Sequence, residues 1–260
     1  MMNLGLTDKV ALITGGAKGI GFEIAKSFLR EGCKVVITDI DTINLENARQ
    51  DLEQLGECMA LICDVTCSEQ IKEMMGSVEK KYGKLDILVN NAGVLKPALI
   101  EDMEESLWDF IINVNLKSAF LCSKYGYDLM KKCGGGIILN AASFSAIISS
   151  VGHGAYGAAK SAVVSLTRTC AAEFAPSNVR VNAYVPGVVA THLTEDMRKD
   201  EARAEKMLYD IPLRRFAQPS ELASVVTMMA SEQAGYMTGA VVEIHGGKLC
   251  VQNPGAAYDK

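Results

Sequence analysis

The 260-residue chain is 49% apolar and carries a formal net charge of −5. That supplies a large core for one α/β domain and offers no basic face for nucleic acid or an anionic membrane. No apolar run approaches a membrane span, and MMNLGLTDKV at the start lacks the apolar stretch of a secretory signal, so the expected location is the cytoplasm. Eight cysteines (33, 58, 63, 67, 122, 133, 170 and 250) form no C-x-x-C pair, and the group Cys58, Cys63 and Cys67 lacks a nearby histidine. They read as small buried hydrophobes in a reducing compartment, with no disulfide and no metal expected.

In chain order, strands alternate with helices. Val10–Thr14 is a short apolar run leading into a glycine-rich turn, after which Ile20, Ile24 and Phe28 recur at helical spacing until Gly32. Lys34–Asp39 is β-branched and strand-like; residues 44–55 read as a helix ending at Gly56, and 59–63 as the third strand. Thr66 and Glu69 have capping-box spacing ahead of Ile71, Met74, Met75 and Val78. Residues 85–89, 137–139, 179–185 and Val241–Ile244 supply the remaining strands. The expected architecture is α/β: a doubly wound, Rossmann-type parallel sheet with helices on both faces. No linker, repeat or charge block divides the chain, so residues 1–260 read as a single domain. Residues 188–217 break the rhythm, being charged, carrying Pro212 and following Pro186-Gly187. A polar insert placed there is expected to cover a site.

Thr14-Gly-Gly-Ala-Lys-Gly-Ile-Gly21 lies between the first strand and the first helix. In that context Gly15, Gly19 and Gly21, with Lys18 and Ile20 between them, form a phosphate-binding turn. The glycines let the backbone approach a pyrophosphate, and the helix start offers free N–H groups to it. Eighteen residues beyond Gly21, Asp39 ends the second strand, where a carboxylate accepts from ribose hydroxyls and repels a 2′-phosphate. The expected cofactor is therefore NAD, with NADP the alternative. Lys18 would favour a 2′-phosphate, and Asp41 is a second candidate acid.

Tyr156 and Lys160 share one face of a helix-compatible stretch. An ammonium beside a phenol stabilises phenolate and suits proton transfer at a carbonyl oxygen. Tyr127 and Lys131 repeat that spacing, but only the first pair has a serine thirteen residues upstream: Ser143, just after the fifth strand, where ligands collect in parallel sheets.

With these motifs in place, the sequence resembles the short-chain dehydrogenases/reductases, in their compact single-domain branch, over nearly its whole length. The resemblance rests on Thr14-Gly15-x-x-x-Gly19-x-Gly21, Asp64-Val65, Asn90-Asn91-Ala92-Gly93, Asn113-Val-Asn115, Ser143, Tyr156-x-x-x-Lys160 and Pro186-Gly187-x-x-x-Thr191, in that order. It implies that Tyr156 is the general acid in reduction and the base in oxidation. Lys160 binds the nicotinamide ribose and tunes the tyrosine, Ser143 holds the substrate oxygen, and Asn115 holds a relay water. Asp64 and Val65 would flank the adenine, Asn91, Ala92 and Gly93 would line the cofactor, Pro186 and Gly187 would also bind the cofactor, and Val189 and Thr191 would meet the carboxamide. The family also implies a homotetramer pairing its fourth and fifth helices.

Alanine stands at 142, where the family often has another serine. His153 and His192 read either as groups near substrate or as ordinary loop histidines, and His245 as structural. Met197, Met207 and Leu208 either line a substrate pocket or pack on their own helix. The expected activity is hydride transfer between NAD(H) and a secondary alcohol or ketone: a polyol, sugar derivative, hydroxysteroid or hydroxy acid. The alternatives are a 3-oxoacyl-[acyl-carrier-protein] reductase using NADPH, which would need a basic dock for which Lys131, Lys132 and Arg168 offer little, and a non-catalytic dinucleotide-sensing module.

Overall fold

The computed structural model describes residues 3–258. Seven parallel strands form one sheet in the order β3-β2-β1-β4-β5-β6-β7. They are β1 (Val10–Thr14), β2 (Lys34–Asp39), β3 (Cys58–Ile62), β4 (Ile87–Asn90), β5 (Gly136–Ala141), β6 (Val179–Pro186) and β7 (Val241–Ile244). Side chains alternate between two cores. Ala11, Ile13, Val35, Ile37, Ile87 and Val89 pack on one face with Ile24 and Phe28 of α1 (Gly19–Arg30) and Met229 of α9 (Pro219–Ala230). Val10, Leu12, Val36 and Leu88 pack on the other with Met74 and Val78 of α3 (Ser68–Tyr82) and Leu129 of α5 (Ser118–Lys132). Burial on both faces explains why the strands read as continuous apolar runs, each full-size side chain contributing roughly 1.5–3 kcal/mol.

The sheet reverses its winding between β1 and β4, which pair with Ile13 opposite Val89. A crevice must open where the chain leaves these two strands toward opposite faces. The glycine turn leaves β1 there, and Asn91 leaves β4.

Several boundaries differ from the sequence expectation. The fourth strand starts at Ile87 because the Asp86 carboxylate is occupied at the sheet edge, accepting from the Val10 N–H at 2.8 Å and pairing with Lys84 at 2.9 Å. The second helix, α2 (Thr42–Glu53), starts two residues early, since the Asp41 carboxylate accepts from the Asn44 N–H at 3.1 Å. The Thr66–Glu69 capping box does not form. Both the Thr66 N–H and hydroxyl donate to Asp64 Oδ1, at 2.8 and 2.7 Å, and α3 begins after Cys67 without a side-chain cap.

Between β4 and β5 an irregular stretch leads into helix that runs from Glu105 to Lys132, but not uniformly. α4 (Glu105–Ile112) passes into α5 through a π turn, Asn113–Lys117. After β5, α6 (Gly154–Phe174) carries Tyr156 and Lys160. The expected polar insert folds into two short helices, α7 (Glu195–Lys199) and α8 (Glu201–Tyr209).

Candidate functional site

The turn after β1 is built to bring backbone close to a ligand. Gly15 has φ +64°, and a side chain there would press to 2.9 Å of the Ala92 Cα. Gly21 has no room for a side chain at all, since a Cβ would collide with the Gly15 carbonyl oxygen. Asn91 holds the turn from the β4 side, its Nδ2 donating to the carbonyls of Thr14 and Gly15 at 3.0 Å each. The Tyr184 hydroxyl of β6 donates to Asn91 Oδ1 at 3.1 Å, and the Thr14 hydroxyl accepts from the N–H groups of Asn91 and Ala92 at 3.0 Å. Behind them, buried Asn90 donates to Ser123 Oγ at 2.9 Å and Asn140 Oδ1 at 2.8 Å.

One cavity of about 1050 Å³ runs from this turn across the ends of β4, β5 and β6. Of the turn, Gly15, Lys18, Gly19 and Ile20 line it. Asp39, Asp64 and Val65 form its far end, and Asn91, Ala92 and Gly93 its floor. Pro186, Gly187, Val189 and Thr191 edge it on the β6 side. Ser143, Tyr156, Lys160 and Asn115 face it from β5, α6 and the π turn. Gly21 is the exception: it is buried under the turn and acts by permitting close packing of α1, not by facing the cavity.

Tyr156 sits beside Ser143, and two opposed effects act on its phenol. Burial pushes its pKa up, and a hydrogen bond with the Ser143 hydroxyl pulls it partly back. The expected lowering by a neighbouring ammonium does not operate in this arrangement. Lys160 Nζ lies 5.7 Å from the Tyr156 ring centroid and donates instead to the Ala141 carbonyl at 2.7 Å. Burial also brings the Lys160 ammonium down to about 8, which leaves it mostly charged at neutrality.

Asn115 is buried in the π turn, where an irregular helix re-aims a side chain. Its Nδ2 donates to the carbonyls of Val94 and Ile111, at 2.9 Å each, and its Oδ1 accepts from the Val94 N–H at 3.2 Å. In these contacts the amide holds the strand end after Gly93 in place.

Comparison with known proteins agrees with this geometry. The family profile described as Enoyl-(Acyl carrier protein) reductase matches residues 15–248. A 3-oxoacyl-[acyl-carrier-protein] reductase FabG of Thermotoga maritima is 41% identical, over 93% of this chain and 98% of its own. The human dehydrogenase/reductase SDR family member 4 is 34% identical over 93% of this chain and 88% of its own. Among solved structures, a protein from Beutenbergia cavernae assigned as an NAD(P)-dependent gluconate 5-dehydrogenase, with NADP bound at low occupancy, superposes with TM-score 0.92. It is 31% identical, covering 96% of this chain and 100% of that one. The chain belongs to the short-chain dehydrogenase/reductase family.

Short-chain dehydrogenases/reductases bind nicotinamide dinucleotides, and the residues present fit one. α1 opens on Lys18 without a side-chain cap and without an acidic residue in its first turn, leaving N–H groups for a pyrophosphate. At the adenosine end, Asp39 accepts from the Asp41 N–H at 3.1 Å and from the Ala17 N–H at 3.4 Å. Lys18 Nζ pairs with Asp41 Oδ2 at 3.4 Å.

The remaining candidates separate. His153 lines the cavity and meets Tyr156 edge-on, ring centroids 6.4 Å apart; burial and then the charge of Arg203 lower its pKa. His192 lines the cavity but is exposed and bonded to Glu195 at 3.0 Å, while His245 holds Glu243 at 2.5 Å outside it. Met197 and Met207 line the cavity and Leu208 does not. Tyr127 turns away, stacked on Phe174 with its hydroxyl 2.8 Å from Ser177 Oγ. Sequence reasoning passed over Arg203, Lys206 and Lys248, which also line the cavity. The spacing of Arg203 and Lys206 on a helix of the insert was the available signal. The thiols of Cys33 and Cys58 are pushed up to about 12 by burial, and those of Cys63 and Cys170 to about 11, which leaves them poor nucleophiles.

Proposed function

We propose that this short-chain dehydrogenase/reductase transfers hydride between NAD(H) and the carbon of a secondary alcohol or ketone. The candidate substrates are polyols, sugar derivatives, hydroxysteroids and hydroxy acids. The observation that carries the reading is the convergence of Ser143, Tyr156 and Lys160 on one cavity with the glycine turn. The bound nicotinamide supplies the hydride acceptor or donor. Tyr156 Oη gives its proton to the carbonyl oxygen in reduction and takes one from the hydroxyl in oxidation. The Ser143 hydroxyl holds the same substrate oxygen, and Lys160 holds the nicotinamide ribose. Gly15, Gly19 and Ile20 hold the pyrophosphate, and Asp64 and Val65 flank the adenine. Asn91, Ala92, Gly93, Pro186, Gly187, Val189 and Thr191 line the cofactor, while Asn115 keeps the wall after Gly93 in register. Residues 188–217 cover the substrate.

The preference for NAD is supported by two carboxylates, Asp39 and Asp41, at the ribose end, where Asp41 also occupies a nearby cation, Lys18. Oxidation of a secondary-alcohol panel, followed at the reduced-nicotinamide absorbance with NAD and then NADP, tests the whole reading. Turnover with NAD that Tyr156→Phe abolishes is the expected result; full activity in that variant would refute the assigned acid.

A second reading, reduction of a 3-oxoacyl-carrier thioester with NADPH, is favoured by the Thermotoga maritima relative. Of the three surface cations considered as its dock, Lys132 pairs with Glu79 at 2.9 Å and Lys131 lies against the Tyr127 ring, which leaves Arg168. The cofactor comparison separates the two. A cytoplasmic homotetramer completes the proposal. The pairing helices are α5, where Phe120 is exposed, and α6, which carries the apolar stretch from Ala158 to Phe174; light scattering tests this. No helix among the described residues is long and apolar enough to cross a membrane.

A further inference from the structure

The charges around the cavity are segregated. Asp39, Asp41 and Asp64 line the dinucleotide end, where Lys18 is paired with Asp41, whereas Arg203, Lys206 and Lys248 line the part beyond His153 and Tyr156, where Asp210 is the one lining carboxylate among the described residues. Asp210 is already engaged, 3.5 Å from Lys248 Nζ. Lys248 is held, its side chain only 13% exposed, with Nζ 5.5 Å from the Phe144 ring centroid. Arg203 and Lys206 lie three apart on α8, on one face of the helix. The neighbouring carboxylate Glu195 is taken by Lys199 at 2.8 Å and by His192. Asp200 spends an oxygen on the Arg203 backbone N–H at 3.1 Å. Among the described residues neither the Arg203 guanidinium nor the Lys206 ammonium has an ion-pair partner. Arg203 nevertheless stands close enough to His153, the neighbour of Tyr156, for its charge to be felt there.

We propose that Arg203 and Lys206 of α8, backed by Lys248, form an anion-recognition subsite that selects substrates carrying a carboxylate or phosphate beyond the reacting carbon. This rests on the hydride-transfer reading and adds the substrate class. Two uncompensated cations, in a cavity whose other end is acidic, orient a substrate with its anionic end under α8 and its carbonyl toward Ser143 and Tyr156. A forked guanidinium suits either anion. Because both cations belong to the insert, the anion would also draw α8 over the substrate.

The test uses two matched pairs of ketone probes: acetoacetate against methyl acetoacetate, and acetoacetyl-4′-phosphopantetheine against acetoacetyl-pantetheine. Each is assayed with NADH and NADPH on the wild type, on Arg203→Gln/Lys206→Gln, and on the surface control Lys80→Gln. In the double variant, kcat/KM for the charged member of at least one pair is expected to fall tenfold or more, with the neutral member within twofold and Lys80→Gln silent. A response in the first pair identifies a carboxylate, and in the second a phosphate. Equal losses on charged and neutral members, or no wild-type preference for charge, would overturn the subsite while leaving the hydride-transfer reading intact. Calorimetric titration of the NADH-loaded protein with the same probes covers the case of no turnover. Charged-probe binding lost in the double variant would keep the subsite and leave the hydride-transfer reading to the secondary-alcohol panel, whereas equal binding or none would sink the subsite.

Discussion

Lys160 points its ammonium at the main chain of β5, donating to the Ala141 carbonyl oxygen at 2.7 Å, four residues from the tyrosine it was expected to tune. The contact holds a desolvated lysine, whose pKa lies at about 8 against an ordinary 10.5. Because the folded value is the lower, the unfolded chain binds more protons at this site between these limits, and the lysine's own contribution to stability rises with pH across that window, against the opposite contribution of the buried thiols of Cys33, Cys58, Cys63 and Cys170. The full cost of charging the buried amine is present below about pH 8 and is gone above about 10.5. One proton contributes a slope of up to about 1.4 kcal/mol per pH unit. In denaturant melts of dinucleotide-free protein, the stability of the wild type relative to Lys160→Met should rise with this slope, since the thiols contribute equally to both. Parallel curves for the two proteins would mean that the lysine is not desolvated.

Ser143 is the one group that lowers the Tyr156 phenol against its burial. Removing it in Ser143→Ala should therefore shift the rising limb of the pH profile of alcohol oxidation to higher pH, since a phenol of higher pKa needs a more basic solution to become the base. Turnover should fall about a hundredfold, and by about a thousandfold or more in Tyr156→Phe. Dinucleotide Kd should stay within about twofold in both variants. A pH–rate profile of the serine variant with an unmoved limb would separate Ser143 from the phenol.

The sheet was legible because its strands are buried on both faces, so that Val10–Thr14 and Lys34–Asp39 read directly as apolar runs. The glycine turn and the Ser143, Tyr156 and Lys160 set were legible through their places relative to strand ends. What escaped depends on contacts distant in sequence. Local capping at 66–69 lost to the Asp64 carboxylate, which is a better acceptor for Thr66 than a helix cap. No residue spacing announced the π turn, because it is set by Asn115 reaching Val94, twenty-one positions back. Gly21 and Gly15 carry the same letter, yet only the three-dimensional path shows one facing the cavity and the other packed beneath it.

At the ribose end, Lys18 and Asp41 pair across 3.4 Å, while the Asp39 carboxylate beside them has no ion-pair partner among the described residues. Asp39→Ala should raise the ratio of kcat/KM for NADP to that for NAD by roughly ten- to a hundredfold, through loss of repulsion toward a 2′-phosphate. Asp41→Asn should move the ratio the same way by a smaller factor, because an exposed pair is weak and its removal mainly frees Lys18. If both ratios stayed at the wild-type value under matched salt, the discrimination would lie outside these carboxylates.

Arg214 joins the end of the insert to the C-terminal segment. Its guanidinium carbon lies 4.9 Å from the Tyr209 ring centroid and 4.7 Å from that of Tyr258, and Nη2 donates to the Gly255 carbonyl at 3.3 Å. The Tyr258 hydroxyl closes the arrangement by donating to the Pro212 carbonyl at 2.6 Å. A flat cation between two rings contributes roughly 1–2 kcal/mol in total, enough to set the fraction of time that α8 spends packed over the cavity. Arg214→Ala should therefore raise substrate KM about five- to thirtyfold and speed proteolysis within 188–217, while dinucleotide Kd and the Tyr156-dependent limb of the pH profile stay unchanged. Arg214→Lys keeps the charge but not the plane, so it should fall between the two. A lysine variant indistinguishable from wild type would show that charge alone ties the C-terminal segment to the insert.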